Sequence, residues 1–310
     1  MRDVRCGIRG PGGACCTAIP HPVSRIPHLL LCAVASFALS GCVSRSISRF
    51  AEDLGRAVAA HDDPELVRAA LPAYLLLVDG MIERSPKSPD LLETGCSLYT
   101  AYAGLVAGDA ARSAKLSERA MAYAQSAWLH RHRKSFSLRT CRFDAFRAEL
   151  AALNRKHVHS LYTLGSAWAG WIRAHPEAVS AAADIPRVEA VMKRIVAIDP
   201  GYRDGAPHMV LGSLGMLLPE DLGGDPEDAR THFERALVLA EGKNLMVPVL
   251  YASQYAVPAG DRPLYRRLLR AVIDAPPGPG ENQLMNTIAR EQAARLLREE
   301  DKAFERRVRP

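Results

Sequence analysis

Aromatic residues are scarce in this chain, 6% of 310 positions, and short stretches of polar–apolar alternation bounded by turns are hard to find. The second lack argues against a sheet. With 48% apolar residues and abundant alanine, the chain can still bury a substantial core, and the expected fold is all-α. A basic block interleaved with aromatics is also missing, so the net charge of +6 does not point to a nucleic-acid groove. The cysteines form neither a C-x-x-C pair nor a zinc spacing. No P-loop and no G-x-G-x-x-G occurs, so no metal and no nucleotide cofactor is expected. Ser166 sits in "LGSAW", which does not fit the G-x-S-x-G elbow. His157 and His159 are two apart and face different sides of a helix. Glu220 and Asp221 have no partner acid in sequence. No catalytic residue can be named, and an enzyme is not expected.

A membrane-crossing run is lacking too. The longest apolar stretch, Leu29–Leu39, is about half of the ~20 residues a spanning helix needs. Preceded by Arg25, it fits a secretory h-region instead. It ends in Leu39-Ser40-Gly41-Cys42, which resembles the bacterial lipobox. The resemblance implies cleavage before Cys42 and a thioether-linked diacylglycerol on its sulfur. Residues 1–41 are thus read as a lipoprotein signal and 42–310 as the mature domain. The segment Met1–Pro22, with Cys6, Cys15 and Cys16 among glycines and prolines, does not suit such a signal; the natural start is expected near Val23. Removing Arg2, Arg5, Arg9, Arg25 and Asp3 with the signal leaves a weakly basic chain. Beyond Cys42 it keeps Cys96 and Cys141, which either pair in an oxidising compartment or stay as buried thiols.

What is present in quantity is one helical frame, repeated. In "GGDPEDARTHFERALVL", Asp225 is a suitable N-cap, Pro226 suits the first helical position, and Glu227 and Asp228 complement the helix dipole. Ala229, Phe233, Ala236, Leu237 and Ala240 then make one apolar stripe. The same alternation of small and large residues runs through Val188, Met192, Ile195 and Val196 before Pro200. It recurs at Leu264, Leu268, Ala271 and Val272 before Pro276, and at Tyr74, Val78, Met81 and Ile82 before Pro86. This is the second-helix frame of the tetratricopeptide repeat, a hairpin of about 34 residues. Its first-helix pattern is resembled by Leu161-x2-Leu164-Gly165-x2-Trp168. Spacing between repeats is irregular, with a nearly doubled gap between Ala120 and Ile195 that predicts an extra helix pair. The architecture expected is a curved array of degenerate, stacked hairpins. Helices are expected over 46–60, 64–84 with a break near Pro72, 88–107, 110–129, 143–152, 156–174, 176–182, 186–198, 205–217, 226–241, 244–255, 261–273 and 281–307, the last a solvated cap.

Two groups of residues are candidates for binding. "HRHRK" at His130–Lys134 ends a helix, where cations complement the dipole and could also meet anionic lipid or an acidic partner. Tyr162, Trp168 and Trp171 lie on one long helix, with Tyr202 and His208 near the start of another. Either these pack in the core, the commoner fate of such residues, or they line a pocket for an apolar or amphipathic ligand.

In order, the lipobox, "YAGLVAGDAARSAKLSERAMAYA", "GSAWAGWI", "AIDPGYRDGAPHMVLGSL" and "LGGDPEDARTHFERAL" resemble the T component of tripartite ATP-independent periplasmic (TRAP) transporters. The resemblance covers roughly residues 42–275. It implies a periplasmic, membrane-tethered helical-repeat lipoprotein that binds the transporter's solute-binding protein. It further implies ring-like homo-oligomers and an apolar or amphipathic solute, and it carries over no catalytic residue. Val43 after the anchor favours the outer membrane. The alternative is a scaffold lipoprotein of another envelope machine, for outer-membrane protein insertion or pilus assembly.

Overall fold

The computed structural model describes residues 53, 55–106, 108–132, 140–276, 280 and 282–308, with side chains up to Glu305. The lipobox with Cys42, the signal segment, and Arg133 and Lys134 of the basic cluster lie outside them. Among the described residues every regular element is helical. In chain order these are α1 (Pro64–Arg84), α2 (Pro89–Leu105), α3 (Ala110–His132), α4 (Phe143–Ala151), α5 (Val158–Ala174) and α6 (Val179–Ile198). There follow α7 (Ala206–Gly215), α8 (Pro226–Ala240), α9 (Met246–Tyr251), α10 (Arg262–Asp274), α11 (Gln283–Arg298) and α12 (Glu300–Val308).

Capping chemistry fixes several starts. Asp63 accepts from the amides of Glu65 and Leu66, Asp225 from that of Asp228, and Asp261 from that of Leu264, each ahead of a proline in the first turn. The stripe on α8 is buried as its spacing requires: Ala229, Phe233, Ala236 and Ala240 are all at most 2% exposed. Phe233 alone is worth roughly 1.5–3 kcal/mol of burial.

Hairpins close through glycine. A Cβ on Gly212 of α7 would lie 2.8–2.9 Å from the Phe233 ring of α8. On Gly165 of α5 it would lie 2.7 Å from Met192 Cε and 2.8 Å from Val191 Cγ1 of α6. On Gly95 of α2 it would meet Ile82 of α1 at 2.8 Å and Tyr123 of α3 at 3.0 Å. Large residues of one helix thus occupy the space that a glycine leaves on the next. Successive pairs stack, α1 on α2, α2 on α3, α3 on α5, α5 on α6, α6 on α7 and α7 on α8, and so on to α10 against α11. The array bends enough for α11 to return to α1, where Arg68 reaches Glu291 at 3.7 Å.

Several boundaries differ from the sequence reading. Neither Pro72 nor Pro186 interrupts its helix. The two segments expected around Pro186 are one helix, α6, because burial on both sides holds it: Ala181 and Asp184 before the proline, Val188 and Val191 after it. Beyond α9 the chain widens into a π-helical turn over Ala252–Ala256 before a last turn, Val257–Ala259. The single C-terminal helix expected is two, and α12 is no solvated cap. Its Phe304 is 6% exposed, edge-on to Tyr265 at 5.4 Å, with the Arg262 guanidinium 4.7 Å from its ring centroid. In α10 the seam is rotated: Ala271 is exposed, while Tyr265 and Leu269 are fully buried. Cys96 and Cys141 are both thiols. Cys96 donates to the Thr163 carbonyl at 3.8 Å, and burial pushes its pKa up to about 12, which leaves it unreactive.

Glycine at the crossings yields a paired prediction. Gly212→Ala is expected to destabilise the fold by about 1–3 kcal/mol, because the Phe233 ring must move. Gly104→Ala, in α2 with open space around it, is expected to stabilise by about 0.5–1 kcal/mol. Urea unfolding followed by circular dichroism reads both. Equal effects of the two substitutions would remove the crossing contact from the account.

Candidate functional site

The residues singled out from sequence separate into a core set and a partly exposed set. Trp168 belongs to the core. It is 0% exposed, stands edge-on to Phe146 at 6.4 Å, and donates its indole N–H to Asp184 at 2.9 Å. Asp184, on α6, is itself buried, so the indole supplies a hydrogen bond that a buried carboxylate needs. Trp171 lies part-buried at the far end of α5. It stacks on His175 at 4.7 Å, whose Nδ1 lies 2.8 Å from the Trp171 carbonyl.

Tyr162 and Tyr202 come together. Their rings sit 5.2 Å apart, tilted by 58°, and the Arg203 guanidinium lies 5.4 Å from the Tyr162 centroid. His159 Nδ1 is 3.2 Å from the Tyr202 hydroxyl, and its Nε2 is 3.6 Å from Glu93. Glu93 is buried and held by Arg131 through both carboxylate oxygens, at 3.0 and 2.9 Å. Arg131 also bonds Asp90 at 2.6 Å, so this part of the basic cluster is committed to an internal ion network. Burial, first of all, pushes the Tyr202 phenol above its ordinary pKa.

The turn that delivers Tyr202 is backbone-strained. Arg203 and Asp204 have φ of 46° and 54°, followed by Gly205 at 82°. Non-glycine residues seldom adopt this region, and consecutive ones persist only where the surroundings hold them. Here Gly205 is pressed on α8: a Cβ would lie 2.8 Å from that of Leu239. The turn swings Arg203 over Tyr162, a placement that local sequence rules do not give.

His208 is buried in α7, and its Nδ1 lies 2.8 Å from Nδ1 of His232 on α8. His232 Nε2 faces Asp228 at 3.5 Å, which favours a proton on Nε2. Its Nδ1 then accepts, and His208 Nδ1–H donates. Burial, then His232, then Arg235 lower the His208 pKa to about 4; burial also lowers that of His232. His232 was missed in the sequence because its partner is 24 residues away; only its position one turn beyond Asp228, on the face of α8 next to the apolar stripe, hinted at it. Glu220 and Asp221 form a short 3-10 turn, Glu220–Leu222, exposed to solvent and remote from this set in sequence. The geometry of the Tyr162–Tyr202–Arg203 group is suited to binding through aromatic faces and a cation.

The neutral histidine pair has a pH signature. A pKa lowered on folding contributes stability that is full above about pH 6.5 and is lost as pH falls through about 4. Between pH 7 and pH 5 the protein is expected to lose about 2 kcal/mol more than its His208→Gln variant. Urea midpoints at the two pH values check this; parallel losses would mean that His208 is not held neutral.

Two comparisons bear on identity. A curated but uncharacterised protein of Treponema pallidum (strain Nichols) is 22% identical over 259 residues, which is 78% of this chain and 80% of that protein. The family model described as "TRAP transporter T-component" matches residues 60–304, from just before α1 into α12. The match takes in the glycine-crossed hairpins, the strained Tyr202 turn and the histidine pair. The chain belongs to the TRAP transporter T-component family.

Proposed function

We propose that this protein is a lipid-anchored periplasmic component that binds the solute-binding protein of its TRAP transporter and assists uptake of an apolar or amphipathic solute. Cys42 carries the anchor, and the outer membrane is the membrane favoured. The observation that carries the reading is the family match over residues 60–304, which spans nearly the whole hairpin array. Stacked hairpins are quasi-one-dimensional and present extended surfaces to protein partners. Among the described residues no helix is long and apolar enough to cross a membrane. A diacylglycerol on Cys42 supplies attachment by other means: one chain holds marginally, two or three hold firmly.

The ligand side of the reading rests on Tyr162, Tyr202 and Arg203. Two aromatic faces and a guanidinium converge there, while Trp168 and His208 support the helices behind them. The function is transport assistance by binding, with no covalent step.

Tagged full-length protein, cross-linked in its own cells and purified, is expected to bring down a solute-binding protein in near-equal amount. Cys42→Ala is expected to move the protein from the membrane to the soluble fraction and to leave its circular dichroism unchanged. Recovery of a barrel-insertion or pilus component in place of a solute-binding protein would overturn the transporter reading. Retention of Cys42→Ala on membranes would overturn the anchor.

A further inference from the structure

Helix α4 stands beside the main stack. The stack passes from α3 to α5, and α4 lies against α6. Phe146 and Leu150 fix it there: both are buried, and Phe146 meets the Trp168 ring of α5. Arg194 of α6 holds its far end, donating from Nη2 to the Ala151 carbonyl at 2.8 Å and to that of Leu153. With 9 residues, α4 is too short to cover the 20 of α6. A groove of about 450 Å³ stays open between the two. Its apolar floor is Phe143, Leu150 and Ala151 of α4 with Pro186 and Ala190 of α6. Residues at three- and four-residue steps share a helix side, so one side of each helix fronts the groove. Phe143 is 39% exposed there, with the Arg187 guanidinium 5.8 Å from its ring centroid.

The rim of this groove is cationic. Arg147, Lys193 and Arg194 front it with one carboxylate, Glu189, which Lys193 neutralises at 2.6 Å. Neither Arg147 nor Arg194 meets a carboxylate among the described residues, although arginines on this protein commonly do: Arg119, Arg131, Arg155 and Arg262 each have one. Arg147 is exposed, and Arg142, the exposed N-cap residue of α4, adds a further charge next to Phe143. The acids of α4, Asp144 and Glu149, are not among the residues that front the groove. In the sequence leading into α4, residues 119–143 include no Asp or Glu. An apolar floor with unanswered cations at its edge is complementary to an acidic surface that carries an apolar side chain.

We propose that the α4–α6 groove is the docking surface for a short acidic segment of the solute-binding protein. A large apolar side chain of that segment rests on Phe143, Leu150 and Ala190, and its carboxylates meet Arg147 and Arg142. This deepens the transport reading above and rests on it, since it gives the place and the chemistry of the partner's contact. An apolar anchor in a fitted floor carries most of the energy of such contacts, while rim charges set orientation and association rate. The Arg147 guanidinium offers paired N–H donors that match a carboxylate. A groove open to solvent along one side suits a segment laid along it, whereas small ligands are mostly enclosed.

The test titrates the full chain, in phospholipid nanodiscs, with the purified solute-binding protein recovered by the cross-linking above. Arg147→Glu is expected to weaken binding about ten-fold and to lessen its dependence on salt. Arg147→Gln should fall between. Ala190→Trp, which fills the floor, is expected to weaken binding by a similar factor and leave the salt dependence unchanged. Arg267→Glu is the control: Arg267 of α10 is exposed and likewise meets no carboxylate among the described residues, and this variant should bind like the wild type. All four should keep the wild-type melting temperature. Binding by Arg147→Glu or Ala190→Trp as tight as that of the wild type would overturn the surface, as would an equal loss in Arg267→Glu. Photo-reactive p-benzoylphenylalanine in place of Phe143 reads the occupant directly. It is expected to attach to a peptide of the solute-binding protein that holds Asp or Glu beside a large apolar residue. Attachment to a peptide without an acid, to a second copy of this chain, or to residues 133–139 of the same chain would overturn the proposal. If the wild type binds the solute-binding protein and the groove variants do so equally, the surface falls and the transporter role stands; if the wild type recovers no such partner, the role itself falls.

Discussion

The fold depends on one kind of contact: a residue without a side chain on one helix, faced by a large apolar residue on the next. Gly212 under Phe233, Gly165 under Met192 and Val191, and Gly95 between Ile82 and Tyr123 leave less than 3.1 Å for any Cβ. Interiors are packed at crystal-like density, so such approaches are fixed geometries and not loose preferences. Helix axes drawn together at these points set the direction of the next hairpin. The bend that returns α11 to α1 is the sum of these local settings. Here packing at a few glycines decides where distant side chains meet.

Polar groups inside the array are placed to satisfy that packing. Asp184 takes the Trp168 indole N–H, and Asp79 accepts from the hydroxyls of Tyr99 and Tyr123 at 2.7 and 2.6 Å. His208 and His232 share one hydrogen bond between α7 and α8. Each arrangement leaves a buried group partnered, as low-dielectric surroundings require. Ser166 Oγ and Gln254 Oε1 are among the few buried side-chain atoms of the described residues without such a partner.

Much of this was legible in the chain. The α8 stripe, its Asp225 cap and the small-residue crossing at Gly165 follow from local spacing, which determines which face of a helix is apolar; the crossing at Gly212 was not read from it. The all-α class followed from the lack of alternation. Other features were not legible because they depend on residues far apart in sequence. Pro186 reads as a stop, yet α6 runs through it, held by Asp184 under Trp168 and by Val188 in the core. The π-helical turn at Ala252–Ala256 leaves no periodic trace. Trp168 and Tyr162 share a helix, and only the packing of Phe146 and Asp184 around one and of Tyr202 around the other separates the buried ring from the half-buried one.

The central claim is that glycine-crossed hairpins bend into an array in which α11 returns to α1. Cysteines at positions 68 and 291, where Arg68 and Glu291 now face each other across α1 and α11, would probe that closure directly. Treatment of the Arg68→Cys, Glu291→Cys protein with a short bismaleimide, followed by mass spectrometry of the monomer band, gives the answer. The account predicts a linked pair of peptides within one chain, in high yield at low protein concentration. Links formed only between chains, or none, would mean that the array is open.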